Sequence, residues 1–252
     1  MTLRLVALGD STVEGLMDAG PDGTYVGWAD RFARYLTRRD PDVSYANLGV
    51  RGQTSHEVLV TQLERAVAMQ PDVVLLMAGV NDMLRPRLDR SELRDSLLTM
   101  YRRLCETGAQ VVTFTMPDMT RVAPVTRAFG SRIGFLNQVI RESGTSYGAV
   151  VVDFAVEPAA SHPSLWHVDR LHGNSEGHRR VAMALAAAVG LESADWRADL
   201  PEAPGTSLLT VLGREAAWVA RDLVPWVWGR LRGHEFKTGG RCKRPDLLPL
   251  DR

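Results

Sequence analysis

The chain has 252 residues, 45% of them hydrophobic and 24% charged, and its thirty basic and thirty acidic side chains cancel. Such a chain can bury a full core, and the balanced charge argues against a nucleic-acid partner or an anionic surface as its main ligand. Cys105 and Cys242 are far apart in sequence, which fits a reducing compartment, and hence the cytoplasm, better than a disulfide framework. The apolar run in MTLRLVALGD is shorter than a secretory core. No stretch approaches the ~18 apolar residues of a membrane span, so stable insertion is not expected.

In chain order, near-continuous apolar runs predict strands at Leu3–Leu8, Val43–Leu48, Val73–Met77, Val111–Thr115 and Val150–Phe154. Runs this apolar suit strands covered on both faces. Helical spacing between and after them predicts helices at Gly27–Arg38, Ser55–Met69, Ser91–Glu106, Arg127–Ser143 and Ser175–Val189. The alternation implies right-handed crossovers and a five-stranded, parallel, doubly wound α/β sheet in three α/β/α layers, of flavodoxin-like type. In such sheets ligands bind beyond the carboxyl ends of the strands. This domain is expected over residues 1–190.

Residues 191–252 read differently. Ala198–Ser207 carries two prolines and reads as a linker. Leu208, Leu212, Ala216, Val219, Leu223 and Val227 then fall three or four apart, as on one face of a helix over Leu208–Arg232. Trp218, Trp226 and Trp228 add aromatic mass, and Pro225 should kink the helix. That face must cover the main domain, a second copy in a homodimer, or a lipid surface. Packing on the main domain is the expectation, with His234–Arg252 as a basic, extended tail.

Four short segments carry candidate chemistry, each at a predicted strand end or before the last helix. Gly9-Asp10-Ser11 follows the first strand, placing Ser11 at its carboxyl end. YANLGVRGQTS closes the second strand and contains Gly49 and Gly52, where a backbone N–H could approach a substrate oxygen closely. MAGVNDM closes the third and offers Asn81, whose amide suits oxyanion donation or a helix cap. VDRLH precedes the last helix, and Asp169 and His172 are close enough to share one turn facing Ser11. Glu14, Asp18 and Trp28 lie near the Ser11 loop; Glu14 could orient that loop and Trp166 could wall the pocket, and each reads equally well as structural.

These four segments, in this order, resemble the GDSL-type, or SGNH, hydrolase family from about Leu3 to Gly190. The match rests on Gly-Asp-Ser at 9–11, Gly52, Gly-Val-Asn-Asp at 79–82 and Asp-Arg-Leu-His at 169–172. The resemblance implies Ser11 as nucleophile, His172 as base and Asp169 as the group orienting it. It implies an oxyanion hole from the Ser11 and Gly52 backbone N–H groups and the Asn81 side chain, and a small-molecule ester as substrate with no cofactor. The first motif continues with Thr12 where the family name has leucine. Thioesterase, lysophospholipase, carbohydrate O-deacetylase and acyltransferase activities share this catalytic set, so the substrate stays open. The loops Arg85–Arg90 and Met119–Ala128 follow the third and fourth strands and are the candidate pocket walls. Arg51, Arg85, Arg87 and Arg121 could make that rim basic.

A second serine competes. LHGNSEGH contains Gly-x-Ser-x-Gly around Ser175, a pattern that elsewhere marks a nucleophile on a strand-to-helix elbow. The preceding residues do not read as a strand, and Asn174 or Ser175 stands where a helix cap belongs, with Glu176 in the first turn. Asn174 or Ser175 is therefore read as the cap that holds His172 in place, and Ser175 is not read as the nucleophile. His162, His167, His172 and His178 fall close together but lack the spacing of a zinc site on a helix, so no metal is expected. Gly-x-Gly-x-x-Gly is absent after the first strand, which leaves a dinucleotide site unsupported. A non-catalytic flavodoxin-like binding module would have no need of the full set of triad and oxyanion candidates.

Overall fold

A computed structural model describes residues 2–21, 23–201 and 241–250, with 213, 218, 220, 221 and 224 between the last two stretches. Five parallel strands form as the apolar runs predict: β1 (Leu3–Gly9), β2 (Val43–Asn47), β3 (Val73–Met77), β4 (Gln110–Phe114) and β5 (Val150–Val152). A sixth strand, β6 (Arg244–Pro249), pairs antiparallel with β2 and completes the order β5-β4-β3-β1-β2-β6. The residues read as an extended tail thus include a strand of the main sheet. Prolines at 245 and 249 hide it from sequence reading, yet an edge strand tolerates them because one side of its ladder is free.

The helices are α1 (Ser11–Glu14), α2 (Gly27–Arg39), α3 (Ser55–Ala68), α4 (Val80–Met83), α5 (Arg90–Cys105), α6 (Gly130–Tyr147) and α7 (Ser175–Ala188). Helix α3 starts on a capping box, in which Thr54 and Glu57 satisfy each other's backbone N–H groups. Asp89 caps α5 by accepting from the Ser91 and Glu92 N–H groups. The apolar face of α2, at Trp28, Ala29, Phe32, Ala33 and Leu36, is buried in the core. An aromatic chain then crosses the molecule. Trp28 meets Phe114 at 5.3 Å between ring centroids, Phe114 meets Phe154 at 5.4 Å, and Phe154 meets Trp196 at 5.2 Å. The first and last of these pairs meet edge to face and the middle one is tilted, and such contacts add to simple area burial.

Trp196 lies beyond α7 but is buried, and the Arg180 guanidinium donates to the Trp196 and Ala198 carbonyls at 2.6 Å each. At the sheet edge Lys243 donates to the Tyr25 and Val26 carbonyls and pairs with Asp30 at 2.9 Å. The apolar stripe predicted within Leu208–Arg232 lies outside the described residues. Trp218 is described and is 3% exposed. Among the described residues no helix is long and apolar enough to cross a membrane. Cys105 and Cys242 are both free thiols.

Candidate active site

Strand β1 runs straight into the short helix α1, so Ser11 emerges at the carboxyl end of a central strand. Asp10 caps α1, its Oδ1 accepting from the Thr12 N–H at 2.9 Å. The turn before α7 approaches from the other side. His172 Nε2 lies 3.0 Å from Ser11 Oγ, and His172 Nδ1 lies 2.9 Å from Asp169 Oδ2. Asp169 Oδ1 also accepts from the Leu171 and His172 backbone N–H groups at 3.0 and 3.1 Å. Burial of the Asp169 carboxyl favours its neutral form, but these donors and the facing imidazole outweigh that and hold it below the usual carboxylate range. An ionised Asp169 fixes the proton on Nδ1, leaving the Nε2 lone pair toward the Ser11 hydroxyl.

The oxyanion candidates come from β2 and β3. Gly52 sits at φ +81°, a left-handed conformation that glycine adopts without strain. Asn81, in α4, donates from Nδ2 to the Gln53 carbonyl at 2.9 Å and to Asp10 Oδ2 at a longer 3.2 Å. The loops bearing the Gly52 and Asn81 candidates are therefore stitched together beside Ser11. Next to Asn81, Asp82 accepts from the backbone N–H and hydroxyl of Ser55, both at 2.8 Å. That carboxylate ties α4 to the start of α3.

Asp10 is wholly buried, and burial pushes its carboxyl up to about 6, against the pull of Thr12 and His172. The Asp82 carboxyl is also raised, chiefly by burial. Both were missed as site residues in the sequence, where an acidic residue at a turn reads as a cap. Gln62 was missed as well. From α3 its amide accepts from Gly9 N–H and donates to Gly9 C=O, both at 2.8 Å, and so grips the residue two positions before Ser11. It also donates to Gln53 Oε1 at 2.6 Å, joining the two loops. The available signal was a glutamine four residues after Val58 and before Ala66, on the buried face of its helix.

Glu14 and Asp18 brace the same loops. Glu14 accepts from the Arg51 backbone N–H at 3.2 Å and from its guanidinium at 2.5–3.1 Å. Arg51 also lies over the Tyr25 ring at 5.1 Å. Its charge is thus neutralised in place, and Arg51 does not belong to a free basic rim, whereas Arg85, Arg87 and Arg121 are exposed. Asp18 takes three bonds from the Arg31 guanidinium and one from the Gly27 N–H.

The Gly-x-Ser-x-Gly segment is structural in its local geometry. Asn174 caps α7, its Oδ1 accepting from the Gly177 N–H at 3.0 Å, and its Nδ2 donates to the Ser164 and Trp166 carbonyls. Ser175 is the first helical residue, and its Oγ accepts from Arg31 at 2.9 Å. A Cβ on Gly177 would lie 2.1 Å from the Leu165 carbonyl oxygen, so only glycine lets the helix approach the loop that leads into His172.

Of the four clustered histidines, His167 and His172 both face Asp169, while His162 and His178 have partners of their own. His162 Nδ1 meets Ser164, and His167 Nδ1 lies 3.5 Å from Asp169. His178 Nδ1 accepts from the Trp28 N–H, and its Nε2 donates to the Leu16 carbonyl. Among the described residues no three His, Cys, Asp or Glu side chains gather as a metal site would require. Beside His172 lies an apolar cavity of about 80 Å³, walled by Trp28, Phe114, Phe154, Leu165, Trp166 and Trp196. Of the loops expected to wall a pocket, Met119–Ala128 contributes Met119, Thr120 and Thr126 to a separate cavity on the far side of Met116 and Pro117.

Three comparisons place this geometry. Among solved structures, the LAE5 alpha/beta hydrolase from the metagenome of Lake Arreo, Spain, aligns with a TM-score of 0.64 at 22% identity, over 77% of this chain and 99% of that one. The acetylxylan esterase Axe2 of Geobacillus stearothermophilus aligns with a TM-score of 0.63 at 19% identity, over 77% and 95%. The psychrotrophic esterase EstA of Pseudoalteromonas sp. gives 0.56 at 17% identity, over 74% and 96%. At such identities the likeness is one of fold. No curated protein sequence matches. Residues 7–180 match the model of the GDSL-like lipase/acylhydrolase family, which covers all four motif segments. The chain belongs to the GDSL-like lipase/acylhydrolase family of carboxylic ester hydrolases.

Proposed function

We propose that this chain is a serine esterase that works through an acyl-enzyme on Ser11. The observation that carries the reading is the hydrogen-bonded series Ser11 Oγ–His172 Nε2 and His172 Nδ1–Asp169 Oδ2, at 3.0 and 2.9 Å. A serine hydroxyl is a weak nucleophile until a base takes its proton. His172 takes that proton as Ser11 attacks the ester carbonyl, and Asp169 stabilises the imidazolium so formed. The tetrahedral oxyanion is received by the Ser11 and Gly52 N–H groups and by Asn81, which trades its long bond to Asp10 for the stronger charge. Collapse expels the alcohol, protonated by His172, and leaves an acyl ester on Ser11. Water, deprotonated by His172, repeats the sequence and frees the acid.

The test is steady-state hydrolysis of p-nitrophenyl esters of increasing chain length, run beside acetylated sugars. Ser11→Ala and His172→Ala should each lose on the order of 10⁴-fold in kcat while staying folded. Wild-type turnover in Ser11→Ala would refute the reading.

A further inference from the structure

Trp218 lies outside the matched family region of residues 7–180, yet it is buried against the turn that carries Asp169 and His172. Its indole Nε1 donates to the Asp169 backbone carbonyl at 2.9 Å, and the Arg170 guanidinium stacks on its ring at 5.3 Å. We infer that Trp218 is a positioning residue for the acid–base pair: it locks the Asp169–Arg170 peptide and so holds the Asp169 carboxylate on His172.

The backbone supplies the reason a lock is needed. Arg170 sits at φ +56°, in the left-handed region that a side chain with a Cβ seldom adopts. The usual relief is rotation of the preceding peptide plane, here the unit made of the Asp169 C=O and the Arg170 N–H. That unit is pinned at both ends. The Arg170 N–H donates to the His167 carbonyl at 2.8 Å, and the Asp169 C=O accepts from Trp218. Cation–π stacking of Arg170 on the same ring favours the left-handed conformer further. The rest of the turn offers the Asp169 C=O no equivalent support: the His167 N–H donates to the His172 carbonyl, and the Leu171 and His172 N–H groups go to the Asp169 side chain. Remove the indole donor and the peptide is held at one end only. The carboxylate, one bond set away, then loses its fixed aim at His172 Nδ1.

The inference rests on the assignment of Asp169 and His172 above. Its experiment compares pH profiles of kcat/KM for p-nitrophenyl acetate in the full-length wild type, Trp218→Phe and Arg170→Ala. Phenylalanine keeps a ring beneath Arg170 and removes only the N–H. The plateau should fall about five- to tenfold, the worth of one hydrogen bond, carried by kcat with KM unchanged. The acid limb should move to lower pH, because a loosely held Asp169 stabilises the imidazolium less. Among the described residues Asp10 and His178 also act on that ring, with His167 and the Arg170 charge beside Asp169, and Trp218→Phe alters none of them.

Trp218→His, which retains a ring N–H, should recover part of the loss. In an Asp169→Asn background Trp218→Phe should cost nothing more, since the carboxylate it aims is gone. A wild-type profile in Trp218→Phe, or a loss that persists in full beside Asp169→Asn, would overturn the inference. Should Trp218→Phe fail to fold, Arg170→Ala decides: a shift of the acid limb in the same direction supports the role, and an unchanged profile removes it. Wild-type turnover in His172→Ala would bring down the underlying assignment instead, a result distinct from an unchanged Trp218→Phe.

Discussion

Replacing His178 with asparagine should flatten the acid side of the stability profile. The imidazole is 4% exposed, accepts from the Trp28 N–H at Nδ1 and donates to the Leu16 carbonyl from Nε2. Burial, and to a lesser degree the nearby His172 and Arg31 charges, lowers it from the ordinary 6.5 to about 4. A second proton on Nδ1 would also face an N–H that needs an acceptor there. The sign follows from where the protons bind. Between those two values the unfolded chain takes up a proton that the folded chain refuses, so stability is full above 6.5 and lost as pH falls. From about pH 7 to about pH 4.5, this one ring should remove about 2–3 kcal/mol of folding stability. Asp10 works in the opposite direction, since its raised value means the folded chain holds the extra proton between 3.8 and about 6. That contribution is present with or without His178 and cancels in a comparison. The assay is urea unfolding followed by tryptophan fluorescence at both pH values, for the wild type and His178→Asn. The variant should be weaker at neutral pH through lost packing and bonds, yet lose about 2–3 kcal/mol less than the wild type on acidification. Equal acid losses in the two proteins would refute the reasoning.

Other substitutions separate structural from chemical roles. Asn81→Ala should lower kcat by roughly 10²–10³-fold with little change in KM, because its amide matters most once the oxyanion forms; a large KM effect alone would make it a ground-state contact. Ser175→Ala removes the side-chain bonds to Arg31 and Asp18 and should keep near wild-type turnover, whereas Asn174→Ala should cost about 1–2 kcal/mol in a urea melt through the lost cap. Gly177→Ala drives a methyl into the Leu165 carbonyl and should cost about 3 kcal/mol; a stable, fully active variant would show that the loop before His172 moves aside freely.

The central sheet was legible because parallel strands buried on both faces leave continuous apolar runs, and the five appear within a residue or two of the predicted bounds. Ser11, Asp169 and His172 could be read from motifs at strand and helix ends, and the structure brings their side chains within hydrogen-bonding distance. Strand β6 was hidden because its stability comes from the edge of β2 rather than from its own Pro-containing sequence. Gln62, Asp10 and Asp82 act through partners far away in sequence, such as Gln62 on Gly9 and Asp82 on Ser55, which no local pattern encodes. Trp218 presented only aromatic mass. Its bond to the Asp169 carbonyl spans 49 positions and becomes visible once the chain is folded.

The most direct test of the account is a fluorophosphonate probe, which labels only a serine already activated by its neighbours. The intact protein should take up a single probe, with the modified peptide containing Ser11, and labelling should vanish in Ser11→Ala and drop steeply in His172→Ala. Labelling that persists in Ser11→Ala, or that falls on the peptide containing Ser175, would contradict the account.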